Sequence, residues 1–250
     1  QHQNTGRYKM RGIIYEGPSL IDGSPIVVIV TSDSKNSKTG DMMQSWILRA
    51  DIDPLAANRT GADYSICGQC IHRGMPTDRD NGQAKDRSCY VALHHAPLSV
   101  FKAYKRGSYQ HIDPTEAGSG QYVRLGSYGD PAAVPTHIWQ ALTSRARGRT
   151  GYTHRWFETY DAPTDLCMAS ADSIDEARRA WSEGLRTFRV VRSVDDIDRD
   201  NEVLCPASEE AGKRVTCEDC RLCTGQRGNV KSVAIPAHGA GRRNSLNILQ

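Results

Sequence analysis

The placement of the cysteines constrains this chain more than any other feature. They fall into an early and a late group, and a long cysteine-poor stretch separates the two. The early group consists of Cys67, Cys70 and Cys89, and the late group of Cys205, Cys217, Cys220 and Cys223. The early group spans a polar, Gly- and Asp-rich stretch at residues 74–87, which holds too little apolar surface to form a core. We therefore expect covalent or metal bonds to hold these segments in place.

Metal ligation is favoured over disulfides. A chain of 250 residues can bury a sizeable core, so it does not need the cross-links of small secreted domains. The stretch from Gln1 to Arg11 lacks the apolar centre of a secretory signal, which predicts a cytoplasmic protein. The longest apolar run, from Pro25 to Thr31, is too short to cross a bilayer and predicts a buried strand. We expect no membrane partner.

The late group has the spacing of an iron–sulfur site. Cys217-x-x-Cys220-x-x-Cys223 places three thiolates in close succession, and Cys205-Pro206 adds a remote fourth. Ferredoxin-type clusters use such a run together with a remote cysteine next to proline, although there the proline-linked cysteine follows the run. The spacing favours a 4Fe–4S cluster. A zinc ion with four thiolate ligands, or disulfides, are the alternatives.

The early group supplies three thiolates, from Cys67-Gly-Gln-Cys70 and Cys89-Tyr90. The candidates for a fourth ligand are Cys167, His72, His94 and His95. If there is none, one iron of a cluster stays open to a substrate or small cofactor, so these cysteines are predicted to bind a cofactor. Zinc with three thiolates and one imidazole is the alternative. Cys167 lies in an apolar segment, where a cysteine is usually a small buried hydrophobe.

The pattern of apolar residues predicts an α/β protein. Short β-type runs dominate the first part, and strands alternate with helices from about residue 121, including a strand at 151–156. Ser173-Ile-Asp-Glu176 is a capping box that opens one helix. We expect a partial or irregular TIM-like barrel with cysteine-bearing loops. Residues 1–110 would form a strand-rich part and residues 111–250 a βα-repeat part of one compact unit.

Sites in parallel α/β folds lie beyond the carboxyl ends of the strands. This rule makes Asp130, His154 and Arg155 the candidate catalytic residues. With Ser170, Asp172, Arg189 and Arg192, they would line a polar pocket for an anionic ligand. Each has a plainer interpretation: Asp130 as a helix cap, and the others as paired surface or core groups. On the predicted strand, His154 and Arg155 alternate, so one of the two would face inward.

The charge of the chain gives little support to nucleic-acid binding. The net charge is +3, and the basic residues cluster only locally, around Lys102 to Arg106 and Arg145 to Arg149. Solvated helix ends account for such clusters. Nucleic acid is therefore a weakly supported partner, and a small-molecule substrate is the stronger expectation.

The cysteine motifs resemble those of the mycobacteriophage gene-product-eighty-eight family of uncharacterised phage and prophage proteins. The resemblance is carried by the stretch from Cys205 to Cys223, by Ala237-His238, and by the early Cys67/Cys70 and Cys89-Tyr90 motifs. The segments Asn36 to Gly40, Arg124 to Asp130 and Asn229 to Lys231 also have counterparts there. The resemblance covers about residues 35 to 240. It implies a phage origin and a shared metal architecture, but no activity.

The layout is also similar to that of radical S-adenosylmethionine enzymes, which place a three-cysteine cluster, a partial α/β barrel and often an auxiliary cluster in this order. The chain lacks their C-x-x-x-C-x-x-C motif, which speaks against S-adenosylmethionine binding. We expect an iron–sulfur oxidoreductase or radical-type enzyme acting on a small or nucleotide-derived substrate in the cytoplasm of an infected bacterium. A zinc-stabilised module that binds nucleic acid or protein without catalysis is the alternative.

Overall fold

The computed structural model describes residues 10–32, 38–158, 161–212, 215–226, 230–239 and 241–249. Three parts of the sequence used above, residues 1–9, Asn36 and Asn229, lie outside these ranges. Within the described ranges, no helix is long and apolar enough to cross a membrane.

Nine strands are found in the described part of the chain, and they form one sheet. They are β1 (Arg11–Pro18), β2 (Pro25–Thr31), β3 (Met43–Arg49), β4 (Tyr122–Tyr128), β5 (Gly148–Thr153), β6 (Met168–Ala171), β7 (Thr187–Val191), β8 (Glu202–Leu204) and β9 (Ser232–Pro236). The α-helices of the same ranges are α1 (Pro54–Thr60), α2 (Tyr64–Cys67), α3 (Ala96–Lys105), α4 (Pro114–Gly118), α5 (Thr136–Thr143), α6 (Ile174–Ser182), α7 (Cys217–Cys220) and α8 (Arg242–Ile248).

The sheet has the order β1-β2-β3-β4-β5-β6-β7-β9-β8. The first three strands form an antiparallel meander, and every pair from β3 to the β8 edge is parallel. Helices connect β3 to β4, β4 to β5, and β6 to β7, which confirms the α/β class. Across the described residues, β1 and β8 remain separate edges, so the sheet does not close into a TIM barrel. Because the sheet joins strands from both halves, the boundary near residue 110 stays a prediction.

Apolar residues of both parts form the core that supports this sheet. The larger cluster packs the fully buried β2 and β3 against β4 and α5, whose Trp139 is buried completely. A smaller cluster covers β9 and includes the side chains of Cys205 and Cys223. Two cysteines of the late group are therefore anchored in the interior rather than on a free loop.

Three elements differ from the sequence-based prediction. β5 ends at Thr153, because the Asp130 carboxylate accepts the backbone N–H of His154 and the chain leaves the sheet there. His154 and Arg155 consequently follow the strand instead of alternating along it. β8 was not predicted from the sequence. The tail from Arg242 forms α8, which was also not predicted and whose Asn244 donates to the carbonyl of Arg87.

The helix predicted from the capping box is present, with one change. Ser173 accepts the N–H of Glu176, as predicted, but the Glu176 carboxylate accepts the N–H of Asp172 rather than that of Ser173. The cap thereby fixes the backbone of Asp172 at the end of β6.

A buried ion pair fastens the β8 edge to β7. Arg189 donates to both carboxylate oxygens of Glu202 at 2.9 and 2.6 Å, and both side chains are almost fully buried. Arg189 was predicted to line a pocket for an anionic ligand. That prediction is wrong, because the guanidinium of Arg189 is paired with the Glu202 carboxylate in the interior.

We predict that Glu202→Gln lowers the free energy of unfolding by about 3 to 5 kcal/mol, because it leaves the Arg189 charge buried and unpaired. Urea denaturation measures this change. The control is Asp175→Asn, which breaks the exposed pair between Asp175 and Arg178 and should cost about 1 kcal/mol or less. Equal effects of the two variants would contradict the structural role of the buried pair.

Candidate functional site

Two cavities adjoin each other: the first lies at the carboxyl ends of the parallel strands, and the second lies against earlier residues of those strands, such as Arg124 and Thr150. The first cavity contains Cys67, Cys70 and Cys89, and the second contains Cys205, Cys217, Cys220 and Cys223. Tyr90, Tyr152 and Phe188 border both cavities and form a shared aromatic wall. The two cysteine groups inferred from sequence thus each surround a space of their own. All of these cysteines are free thiols in the structure.

Local structure positions the four thiols of the second cavity. Cys205 follows β8 and donates its N–H to Ala234 of β9. Cys217 and Cys220 lie one turn apart on α7, which begins where Thr216 accepts the N–H of Asp219. These residues place three of the sulfurs, and the chain then turns through a left-handed residue after α7 to bring in the fourth, Cys223.

Backbone amides two residues further along the chain act to lower the pKa of three cysteine thiols. The pairs are Ala207 with Cys205, Leu222 with Cys220, and Val91 with Cys89. The hydroxyl of Tyr152 acts in the same direction on the pKa of Cys223. Nearby donors favour a thiolate over a thiol, and hydrogen bonds to sulfur tune iron–sulfur clusters. These groups therefore support negatively charged sulfur.

Burial acts in the opposite direction on the same sulfurs. It raises the pKa of Cys223 to about 12, and it also raises the pKa values of Cys205, Cys220, Cys89 and Cys67. Buried thiols with raised pKa values are poor nucleophiles at neutral pH, because the thiolate is the reactive form. A bound metal would deprotonate them outright. The environment therefore suits metal ligation better than nucleophilic catalysis.

A buried arginine faces the second cavity. Arg124 is 8% exposed, donates to the hydroxyl of Tyr90 at 2.6 Å, and lies over the ring of Tyr152. Within the described ranges it forms no ion pair with a carboxylate. Burial alone would lower its pKa, but Tyr90, Tyr152 and the late cysteines raise it overall. A buried charge without a counter-ion is costly, so Arg124 fits a cavity that holds negative charge.

The first cavity contains two imidazoles and a carboxylate beside its cysteines. Nε2 of His154 and Nε2 of His72 lie 3.4 and 3.6 Å from the same oxygen of Asp172. Nε2 of His154 is also 3.8 Å from Sγ of Cys70. Burial opposes ionisation of Asp172, but its contacts with His154 and His72 lower the pKa overall. Burial likewise opposes protonation of His154, whose pKa is raised overall by Cys70 and Asp172.

The three candidate catalytic residues have different surroundings. The Asp130 carboxylate accepts hydrogen bonds from Ala132 N–H, Thr153 Oγ1 and His154 N–H, all within 2.9 Å. Arg155 is buried against Gly68 and forms an ion pair with Glu158. Of the three, His154 is the one whose side-chain nitrogen faces the cysteines. Asp130 and Arg155 position their neighbours in the structure, and a catalytic role for them stays a prediction.

The candidates for a fourth ligand of the early group also differ in where they lie. Cys167 is buried in the large apolar core and lines neither cavity. His94 and His95 are exposed and stack on each other. His72 lines the first cavity, as does His154, which had been considered only for catalysis.

Several residues of these cavities were not identified from sequence. Arg124 and Tyr128 lie at alternate positions of β4, and Tyr90 and His238 stack between the cavities. The strand-end rule could have identified Tyr128, because it is the last residue of β4. No local signal marks Arg124 as a buried cation. His72 and Asp172 were each noted, but their convergence depends on a loop whose path the sequence does not define.

We predict that Asp130→Asn lowers the free energy of unfolding by about 1 to 3 kcal/mol. An amide in place of the carboxylate turns one N–H group towards a donor and leaves it unsatisfied. Thermal unfolding measures the loss. Asp113→Asn is the matched control, because asparagine caps a helix as well as the aspartate that now caps α4. An Asp130→Asn protein of unchanged stability would restore Asp130 as a catalytic candidate.

Comparison of the chain with known proteins identifies no matching family model, no matching curated protein and no matching solved structure.

Proposed function

We propose that this chain is an iron–sulfur protein that performs redox or radical-type chemistry on a small or nucleotide-derived substrate. The late cysteines would hold a closed 4Fe–4S cluster in the second cavity, and the early cysteines a second, open centre in the first. One observation carries the proposal: free thiols from segments far apart in the chain surround two adjoining cavities, one of them faced by the buried cation of Arg124.

The spacing of the sulfurs differs from that around a single zinc ion. In the described residues, one group of three side chains has potential ligand atoms that all lie within 4.8 Å of one another. It consists of His72, His154 and Asp172. No three cysteine sulfurs meet this limit. A tetrahedral zinc with Zn–S bonds of about 2.3 Å requires sulfurs about 3.8 Å apart. Ligands of an iron–sulfur cube bind different iron atoms and lie farther apart.

The charges around the second cavity also fit a cluster. A cluster with four thiolate ligands is an anion, and the Arg124 guanidinium and the Lys38 ammonium group both face this cavity. The backbone amides of Ala207 and Leu222, which act to lower the pKa of Cys205 and Cys220, favour anionic sulfur in the same way. Bound there, the cluster would supply one-electron transfer. The protein's own groups would hold its charge and exclude water.

The first cavity offers the groups that a substrate would contact. Its wall combines the aromatic rings of Tyr90 and Phe188 with the hydroxyl of Tyr128 and the guanidinium of Arg87. A flat apolar face beside a few polar groups is the usual composition of a small-molecule site. This lining supports a small or nucleotide-derived substrate beside the early cysteines.

The remaining expectations from sequence belong to the same proposal. The consecutive order of the parallel strands β3 to β7 supports a partial, open barrel. The cysteine motifs support membership of the phage family they resemble, and with it a place in the cytoplasm of an infected bacterium. A small molecule rather than a nucleic acid or a membrane would be the partner.

We predict that protein purified without oxygen is brown and contains iron and acid-labile sulfide in similar amounts. Cys220→Ser should lose iron and soluble yield, because the late site has no spare thiolate. Cys167→Ala is the matched control and should keep the full iron content, since Cys167 lies in the core away from both cavities. A colourless protein with stoichiometric zinc would overturn the proposal in favour of a zinc-stabilised binding module.

We predict that Arg124→Gln shifts the reduction potential of the late cluster to more negative values. Removing a buried cation disfavours the added electron, and low dielectric strengthens the effect. Potentiometric titration measures the shift. The control is Arg147→Gln, which removes an arginine that lies over Tyr122 outside both cavities. An unchanged potential in Arg124→Gln protein with full iron content would contradict the electrostatic role of Arg124.

A further inference from the structure

The side chains of His72, His154 and Asp172 point at one another, but their contacts are too long for good hydrogen bonds. Both Nε2 atoms approach one carboxylate oxygen, at 3.4 and 3.6 Å, whereas N–H···O bonds are about 2.7 to 3.2 Å long. Ligands of a tetrahedral metal with bonds of about 2.1 Å lie about 3.4 Å apart. The observed distances therefore match the edge of a coordination polyhedron.

The structure also fixes the orientation of each ligand from behind. Nδ1 of His72 contacts Ser88 Oγ at 2.7 Å, so that Nε2 is the nitrogen directed at the cavity. Asp130 holds the backbone of His154, and the Glu176 carboxylate holds the backbone N–H of Asp172 at 2.7 Å. Such outer hydrogen bonds are a regular feature of metal sites, where they set the tautomer and direction of the ligands.

A catalytic triad is the natural competing interpretation of Cys70, His154 and Asp172. In a triad, the nucleophile and the carboxylate contact opposite nitrogens of the imidazole. Here Cys70 and Asp172 both face Nε2 of His154, so the imidazole cannot relay a proton between them. The arrangement excludes a triad and is compatible with a cation shared by His72, His154 and Asp172.

A buried hydroxyl gives an independent indication of an occupant in the same cavity. Tyr128 is 4% exposed, lines the first cavity, and its hydroxyl has no hydrogen-bond partner in the structure. A buried hydroxyl without a partner is costly. A metal-bound water or substrate oxygen in the cavity would supply that partner.

We propose that His72, His154 and Asp172 bind one divalent transition-metal cation, separate from any centre held by the early cysteines. Two imidazoles and a carboxylate suit Fe²⁺, Mn²⁺, Co²⁺ or Zn²⁺ and leave coordination positions open. All three residues line the cavity that contains Tyr128, so the cation would be accessible to the oxygen of a substrate bound there. The site goes beyond the proposed iron–sulfur function, since its ligands contain no sulfur.

The test uses Co²⁺ and the full-length chain with Cys67→Ser, Cys70→Ser and Cys89→Ser combined, which removes the early thiolates. We expect this protein to bind one Co²⁺ in addition to the metal held by the late cysteines. The bound Co²⁺ should show visible d–d absorption without the near-ultraviolet charge transfer of a cobalt–thiolate bond. Adding Asp172→Asn, which preserves size, should weaken this binding at least tenfold. Asp175→Asn and His137→Ala alter exposed residues away from the site and should leave it unchanged.

Thermal unfolding with and without Co²⁺ keeps the test informative if a variant is destabilised. The cation should raise the melting temperature of the triple-serine protein but not that of its Asp172→Asn form, since a ligand stabilises only the fold that binds it. Loss of cobalt binding in a folded triple-serine protein would overturn the proposal. That result would assign the imidazoles to a centre that needs the early cysteines, whereas the iron and sulfide content of the late site would be unaffected.

Discussion

The aspartate at the end of β4 joins three segments that the sequence keeps far apart. The backbone N–H of Asp130 donates to Ile66 of α2, and its carboxylate accepts from Thr153 and His154 at the end of β5. This residue therefore sets where α2, which carries Cys67, lies relative to the sheet. It also ends β5 at the position that turns His154 towards the early cysteines. The first cavity depends on this one residue, because its backbone N–H holds the α2 side and its carboxylate holds the β5 side.

The polar loop between Cys70 and Cys89 is held by a hydrogen-bond network as well as by any metal. Asn58 donates to Asp63 and to the carbonyl of Arg73, and it accepts the N–H of Ala84. Arg73 in turn forms an ion pair with the buried Asp63. A loop that contains little apolar surface is thus anchored through buried polar groups of α1 and α2. The expectation that covalent or metal bonds hold this segment was too narrow, because it overlooked Asn58.

The fold could be predicted from sequence where the pattern is periodic and local. The apolar runs of β1 to β3, the helix that begins at Ser173, and the alternation after residue 121 all reflect local geometry. The end of β5 and the presence of β8 depend instead on partners distant in the chain, the Asp130 carboxylate and Arg189. The grouping of the cysteines could be predicted, because cysteines separated by two residues in sequence lie on the same turn of the backbone. The convergence of His72 with Asp172 could not, since it requires the path of the loop.

The shared aromatic wall explains how two neighbouring cavities can keep different chemistry. On the late side, Arg124 donates to Tyr90 and lies over Tyr152, so its positive charge is directed at the four sulfurs. On the early side, the carboxylate of Asp172 faces the two imidazoles, and the guanidinium of Arg87 borders the same cavity. Because the Coulomb energy falls with distance, Arg124 acts most strongly on the late sulfurs and Asp172 on the imidazoles. Under the proposed function, Arg124 favours an electron on the late side and Asp172 favours a cation on the early side. Electron transfer to a substrate in the first cavity would then cross one layer of side chains, the rings of Tyr90, Tyr152 and Phe188.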